Sequence, residues 1–138
     1  MPVSFHALTP GAAYTRHELA NIWGYTGIEA ISRGVVTPAN DNKIILFVTR
    51  SKRPEDIQYR DDLVGHVLLW EGPNDHFAED RIMNHAESGD EVHLFFREEH
   101  KSPFTYVGPM NLYCGQRLTG RPSRFVFQSA ALAVARVA

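Results

Sequence analysis

The sequence predicts an α+β domain built on a curled mixed sheet or a small β-barrel, with two short helices. Three observations carry this. Strand-like runs outnumber helical stretches. A chain of 138 residues is long enough for one core and short for two. The helices are too few to cover both faces of a doubly wound sheet. The chain therefore divides into one domain over 1–128 and an Ala-rich tail over 129–138.

Each element has a local reason. Thr15-Arg16-His17-Glu18 fits a capping box, Leu19, Ile22 and Trp23 supply an apolar stripe, and Gly24 suits a left-handed stop. This predicts a helix over about 16–23. IEAISRGVV reads as a strand, ended by the turn chemistry of TPANDN. KIILFVT, at 43–49, is rich in β-branched and aromatic residues and lacks polar alternation, so a buried strand is expected. The stretch 50–65 reads as a charged loop, long enough to suggest function. HVLLWEG follows as a strand, and 77–91 as a second helix closed by Gly89. VHLFFR and FTYVGPMNLY form a hairpin around a charged turn, and SRFVFQ is a last strand. The tail SAALAVARVA is compatible with a helix, a strand or a linker.

Composition excludes several classes. Hydrophobic residues make up 43% and charged residues 22%, a globular balance. No apolar run approaches the roughly 18–20 residues of a membrane span. The opening lacks the basic start and apolar stretch of a secretory signal, and Cys114 is the single cysteine, so a cytoplasmic setting without disulfides is expected. A net charge of −2 offers no global attraction to nucleic acid, so any polyanion site must come from local clustering.

Catalytic patterns are sparse. The seven histidines are scattered, with neither HExxH nor paired cysteines. His76, Asp80 and His85 lie near one another, but only the 76-to-80 spacing is helical, so no metal is expected. Cys114 has no basic neighbour to activate it, and no GxSxG elbow or phosphate-binding glycine loop is present. Asp61 and Glu71 are acid–base candidates without a matched partner. No catalytic residue or cofactor is assigned, and a binding module fits better than an autonomous enzyme.

Aromatic and basic residues give the stronger signal. Phe47, Tyr59, Trp70 and Tyr106 fall on or beside predicted strands. Basic residues gather at Arg50, Lys52 and Arg53, at Arg97 and Lys101, and at Arg117, Arg121 and Arg124. Bases stack on aromatic rings for roughly 1–3 kcal/mol each, and cations neutralise phosphates. An aromatic on an alternating strand is more often core, and alternation sends Phe95 and Phe96 to opposite faces.

The ordered motifs Tyr14-Thr15-Arg16, Leu46-Phe47-Val48-Thr49, Tyr59-Arg60-Asp61, Leu69-Trp70-Glu71, His93-Leu94-Phe95-Phe96-Arg97 and Phe104-Thr105-Tyr106-Val107-Gly108 span most of the chain. Together they resemble a PUA/SRA-like domain found beside HNH nucleases and restriction helicases in prokaryotic defence proteins. The resemblance implies a reader of modified bases, 5-methylcytosine or its hydroxymethyl relative, in duplex DNA. No nuclease or helicase motif follows residue 128, so recognition carries over without cleavage, with a nuclease or helicase as an expected partner. On this resemblance, Tyr59 or Trp70 would wall a base, Asp61 would accept from a cytosine amine, and Thr49 and Glu71 would complete the polar edge, with Phe47 and Tyr106 as further base-binding aromatics. Arg50, Lys52, Arg53, Arg97, Lys101, Arg117, Arg121 and Arg124 would follow the DNA backbone. Two rival readings are a protein-interaction adaptor docking through 50–62, which suits the acidic net charge, and an enzyme acting on a small molecule or nucleotide.

Overall fold

A computed structural model describes residues 3–51 and 61–130. Its centre is a parallel pair, β3 (Lys43–Ser51) and β6 (Glu91–Glu99), in register from Lys43 opposite Glu91 to Ser51 opposite Glu99. Ile44 through Val48 are all buried, as the unbroken apolar run predicts. Alternation directs Ile44, Leu46 and Val48 into one cluster and Ile45 and Phe47 into another. A strand covered on both faces has no solvent side on which to carry polar residues.

The other strands are β1 (Ala13–Tyr14), β2 (Val35–Val36), β4 (Asp62–Val64), β5 (Val67–Glu71), β7 (Phe104–Gln116) and β8 (Arg124–Ser129). They form one eight-stranded sheet in the order β2-β3-β6-β7-β8-β5-β4, with β1 paired to the start of β7. All pairings except β3 with β6 are antiparallel. All seven strands of that path contribute to a single interior cluster, which includes Val35, Leu46, Leu68, Trp70, Leu94, Met110 and Phe127, with Leu63 packed against it. A sheet can do this only by curling around the cluster. Among the described residues the curl stays open, because β2 and β4 share no ladder, so the barrel alternative is not realised. Arg50 spans the gap instead, donating to the Leu63 carbonyl at 2.6 Å and pairing with Asp62 at 2.8 Å.

Strand β7 serves both halves of the sheet through a bulge. Leu94 pairs with Gly108 and Phe95 with Tyr106, which leaves Val107 as the extra residue. The slip reverses the facing of even-numbered positions: Phe104 and Tyr106 join the outer cluster, whereas Met110 joins the interior one. Gly108 has φ +119°, a conformation that side-chain-bearing residues rarely adopt. Here the conformational freedom of glycine is required.

The outer cluster is covered by the N-terminal segment and α1 (Arg16–Ile22). The capping box of α1 is present: Thr15 Oγ1 accepts from the Glu18 N–H at 3.1 Å, and Glu18 accepts from the Thr15 N–H at 2.9 Å. Gly24, at φ +80°, ends the helix in a Schellman arrangement, with Gly24 N–H on Asn21 O and Tyr25 N–H on Ala20 O. IEAISRGVV is not one strand. Residues Glu29–Ile31 form a 3-10 turn and only Val35–Val36 pair, because Ser32 Oγ donates back to the Glu29 carbonyl and favours the turn. The second expected helix is divided into α2 (Glu79–Met83) and α3 (His85–Ser88). Asn84 lies between them and donates its side-chain amide to the Asp80 carbonyl at 2.9 Å. Gly89 closes α3 at φ +77° as expected. Among the described residues no helix is long and apolar enough to cross a membrane.

Candidate functional site

Two parallel strands deliver their following connections to the same end of a sheet. At that end Thr49 and Arg97 are register partners, Phe104 begins β7, and β1 pairs Tyr14 with Phe104. Two residues after Tyr14, Arg16 opens α1. The result is a cationic and aromatic cluster. The Arg97 guanidinium carbon lies 4.2 Å from the Phe104 centroid, and that of Arg16 lies 5.0 Å from the same ring and 4.6 Å from Phe47. Such contacts are worth about 0.5–2 kcal/mol each, rising as water is excluded.

Backbone and neutral side chains hold both arginines in place. Arg97 donates from Nε to Thr49 Oγ1 at 2.7 Å, and from its Nη atoms to the Ser102 carbonyl and His100 Nδ1, each at 3.3 Å. Arginine only donates, so His100 Nδ1 is the acceptor. Arg16 donates from Nε to the Ile31 carbonyl at 2.9 Å and from Nη2 to the Arg33 carbonyl at 3.4 Å. Among the described residues neither arginine is paired with a carboxylate. Burial, and then the charge of Arg97, push the Arg16 guanidinium down to about 10, and burial lowers Arg97 as well. Both remain cationic at neutral pH. The site thus concentrates positive charge that no carboxylate among the described residues neutralises.

Earlier along β6, a polar relay joins the buried Tyr106 and His93 to the exposed Glu91. His93 stacks on Phe5 at 3.6 Å and 5°, its Nδ1 is 2.8 Å from the Tyr106 hydroxyl, and its Nε2 is 3.0 Å from Glu91. Burial lowers the His93 pKa, favouring the neutral ring. A carboxylate only accepts, so Nε2 carries the proton and Nδ1 accepts from Tyr106. Burial, followed by the Glu91 charge, pushes the Tyr106 phenol up to about 12.

The structure divides the sequence-predicted site residues. Phe47 and Tyr106 are buried in the outer cluster, whereas Trp70 packs in the interior one, 5.5 Å from Phe125 and 6.2 Å from Phe127. The sheet separates Trp70 from Phe47 and Tyr106. Trp70 is only 6% exposed, which corrects the expectation that a ring at the strand end faces an open mouth: Phe125, its register partner on the adjacent β8, and Phe127 pack against it. Asp61 Oδ1 accepts from the Glu71 N–H at 2.9 Å, anchoring the end of the charged loop to β5. Thr49 orients Arg97.

Among the expected backbone contacts, Arg50 is tied to Asp62 and Glu98 and Arg117 to Asp80 and Glu79, so their charges are already compensated. Lys101 is exposed in the β6–β7 turn at φ +72°. Arg121 and Arg124 are exposed, and no carboxylate pairs with them among the described residues. Lys52, Arg53 and Tyr59 lie outside the described residues.

Sequence reasoning left Arg16 and His100 out of the site. A signal for Arg16 was available: a cation in the first turn of a helix opposes the helix dipole, so local propensity does not explain it. Elsewhere, His76, Glu79, Arg117, Leu118 and Thr119 line a shallow cavity of about 280 Å³, with Glu79 buried against His76. His85 Nε2 accepts from the Leu112 N–H at 3.1 Å, a structural role. Among the described residues no group of three metal-ligating side chains is assembled.

Fold and site define an α+β curled-sheet domain with two arginines stacked on aromatic rings at one end of its parallel strands. No family model and no curated protein matches the chain. Among solved structures, the fold is similar to that of the DNA modification-dependent restriction endonuclease AspBHI, with a TM-score of 0.52 and 12% identity over 94% of this chain and 80% of that chain. At this identity the likeness is one of fold.

Proposed function

We propose that this chain is a DNA-binding reader of modified bases, 5-methylcytosine or a related base, in a restriction or defence context, acting without cleavage of its own. The observation that carries this reading is the Arg16–Arg97 pair on Phe104, uncompensated by any carboxylate among the described residues. The similarity in fold to a modification-dependent restriction endonuclease supports it.

In this reading, Arg16, Arg97 and Lys101 meet the phosphates, with Arg121 and Arg124 extending the contact. Lys52 and Arg53, which follow β3 in sequence, add further phosphate contacts, and Tyr59 stacks the base. Asp61 accepts from its exocyclic amine, as carboxylates do for cytosine, and Thr49 and Glu71 complete the polar edge. Phe47 and Tyr106 act from below, as the buried layer that keeps the rim rigid. The reading domain comprises 1–128, its partner is a nuclease or a helicase, and cleavage belongs to the nuclease.

Binding to matched duplexes with and without 5-methylcytosine, measured at several salt concentrations, tests this. The modified duplex should bind more tightly, and log affinity should fall linearly with log salt. Failure to bind any duplex at low salt would overturn DNA binding. Equal affinity for both duplexes would overturn base reading.

A further inference from the structure

We infer that Arg16 and Arg97 form a clamp for a single phosphate group at the rim of Phe104. The inference rests on the DNA-binding reading for its natural ligand but makes a separate claim about chemistry. Two cations held on one buried ring repel each other, and among the described residues neither is paired with an anion. Their hydrogen-bonding capacity is also incompletely used. Arg16 Nη1 makes no hydrogen bond among the described residues, and each Nη of Arg97 makes one of the two available to it. The Nε bonds to the Ile31 carbonyl and Thr49 Oγ1 fix the plane of each guanidinium before any ligand arrives.

The remaining N–H groups suit a tetrahedral oxyanion. Planar guanidinium forks match two oxygens at a time, and charge-assisted bonds are about twice as strong as neutral ones. A carboxylate offers two oxygens in one plane, whereas a phosphate offers oxygens to two forks at different angles. Phosphate is therefore the preferred ligand class. Its source can be a DNA backbone diester or the free ion.

Thermal unfolding of the intact chain in inorganic phosphate, against chloride at equal ionic strength, provides the test. Phosphate should raise the midpoint for the wild type and do so much less for Arg16→Gln and Arg97→Gln. Arg16→Lys, which keeps the charge but loses the fork, should retain only part of the shift. That variant also guards against misfolding of Arg16→Gln. In a double-mutant comparison the two losses should be strongly non-additive, because one ligand is shared. Additive losses, or no shift in the wild type beyond that in chloride, would overturn the clamp.

Competition against an unmodified duplex separates the two sources. Displacement of duplex by phosphate, dependent on both arginines, supports a backbone phosphate in the clamp. A phosphate shift without displacement supports the clamp for the free ion and removes it from the DNA reading. Arginine-dependent DNA binding without any phosphate shift overturns the clamp and leaves DNA reading standing.

Discussion

Arg16 and Arg97 lie on the same aromatic ring, Phe104, at 5.0 and 4.2 Å, with no carboxylate paired to either among the described residues. They come from α1 and β6, and one β1–β7 pairing and one parallel β3–β6 pairing bring them together. Arg50 behaves in the opposite way. It projects from the same strand as Thr49, yet Asp62 and Glu98 neutralise it. The face of the sheet separates them: Arg50 stacks on Phe96 of the interior cluster, whereas Arg16 and Arg97 stack on Phe104 of the outer one.

This contrast predicts different outcomes for two arginines. Arg97→Gln should weaken DNA binding across sequences and reduce the salt slope by about 1, as the loss of one phosphate contact does. Arg50→Gln should leave that slope unchanged and lower stability by about 1 kcal/mol, a modest loss because its ion pairs are partly exposed. Anisotropy titrations at several salt concentrations and urea denaturation check the pair. Equal changes in slope would dissolve the distinction.

Trp70 and Asp61 should respond differently to truncation. Trp70→Ala removes a large ring from the interior cluster and should destabilise by roughly 3–5 kcal/mol. Asp61→Ala leaves the Glu71 N–H without that acceptor and should destabilise by about 1 kcal/mol. Denaturant midpoints distinguish them. A Trp70→Ala protein of wild-type stability would contradict the packing described for that ring.

Stability should decline in mild acid because of His93. Its folded pKa lies below the ordinary 6.5, so the unfolded chain takes up a proton first as pH falls. The stability associated with the neutral ring is complete above 6.5 and is lost as pH falls from there through the lowered folded value. Glu91 is also depressed, from 4.5, and its contribution fades only below that value. Lys43 and Asp41 also act on His93, in opposite directions. Urea midpoints between pH 7.5 and 5.5, chosen for these windows (about one unit either side of 6.5), should fall for the wild type and fall less for His93→Gln. Parallel slopes would assign the acid sensitivity to other groups.

Two glycines of β7 should fail for different reasons. A methyl group on Gly108 would meet nothing within 4 Å, so Gly108→Ala tests φ alone and should destabilise by about 1–3 kcal/mol. A methyl group on Gly115 would lie 2.7 Å from Met83 Sδ and 2.9 Å from Phe125 Cδ1. Gly115→Ala should therefore perturb packing between β7 and α2. Met83→Ala should relieve part of the Gly115 defect and none of the Gly108 defect, as judged by thermal midpoints.

The sequence by itself determined the features set by near neighbours. The Thr15–Glu18 capping box, the Gly24 stop, the buried run Ile44–Val48, the 91–116 hairpin and the opposed faces of Phe95 and Phe96 were all legible, because each depends on residues within a turn or on strand alternation. Tertiary structure alone decided the site. Arg16 and Arg97 are 81 positions apart and meet only because Lys43–Ser51 runs parallel to Glu91–Glu99 and β1 pairs with β7. Trp70 resembled a pocket residue, but the pairing of β5 with β8 sets Phe125 opposite it and Phe127 nearby, sealing the ring in the core. Local propensity fixes backbone conformation over a few residues. Which charges remain unpaired depends on which distant segments the curled sheet brings within a few ångströms of one another.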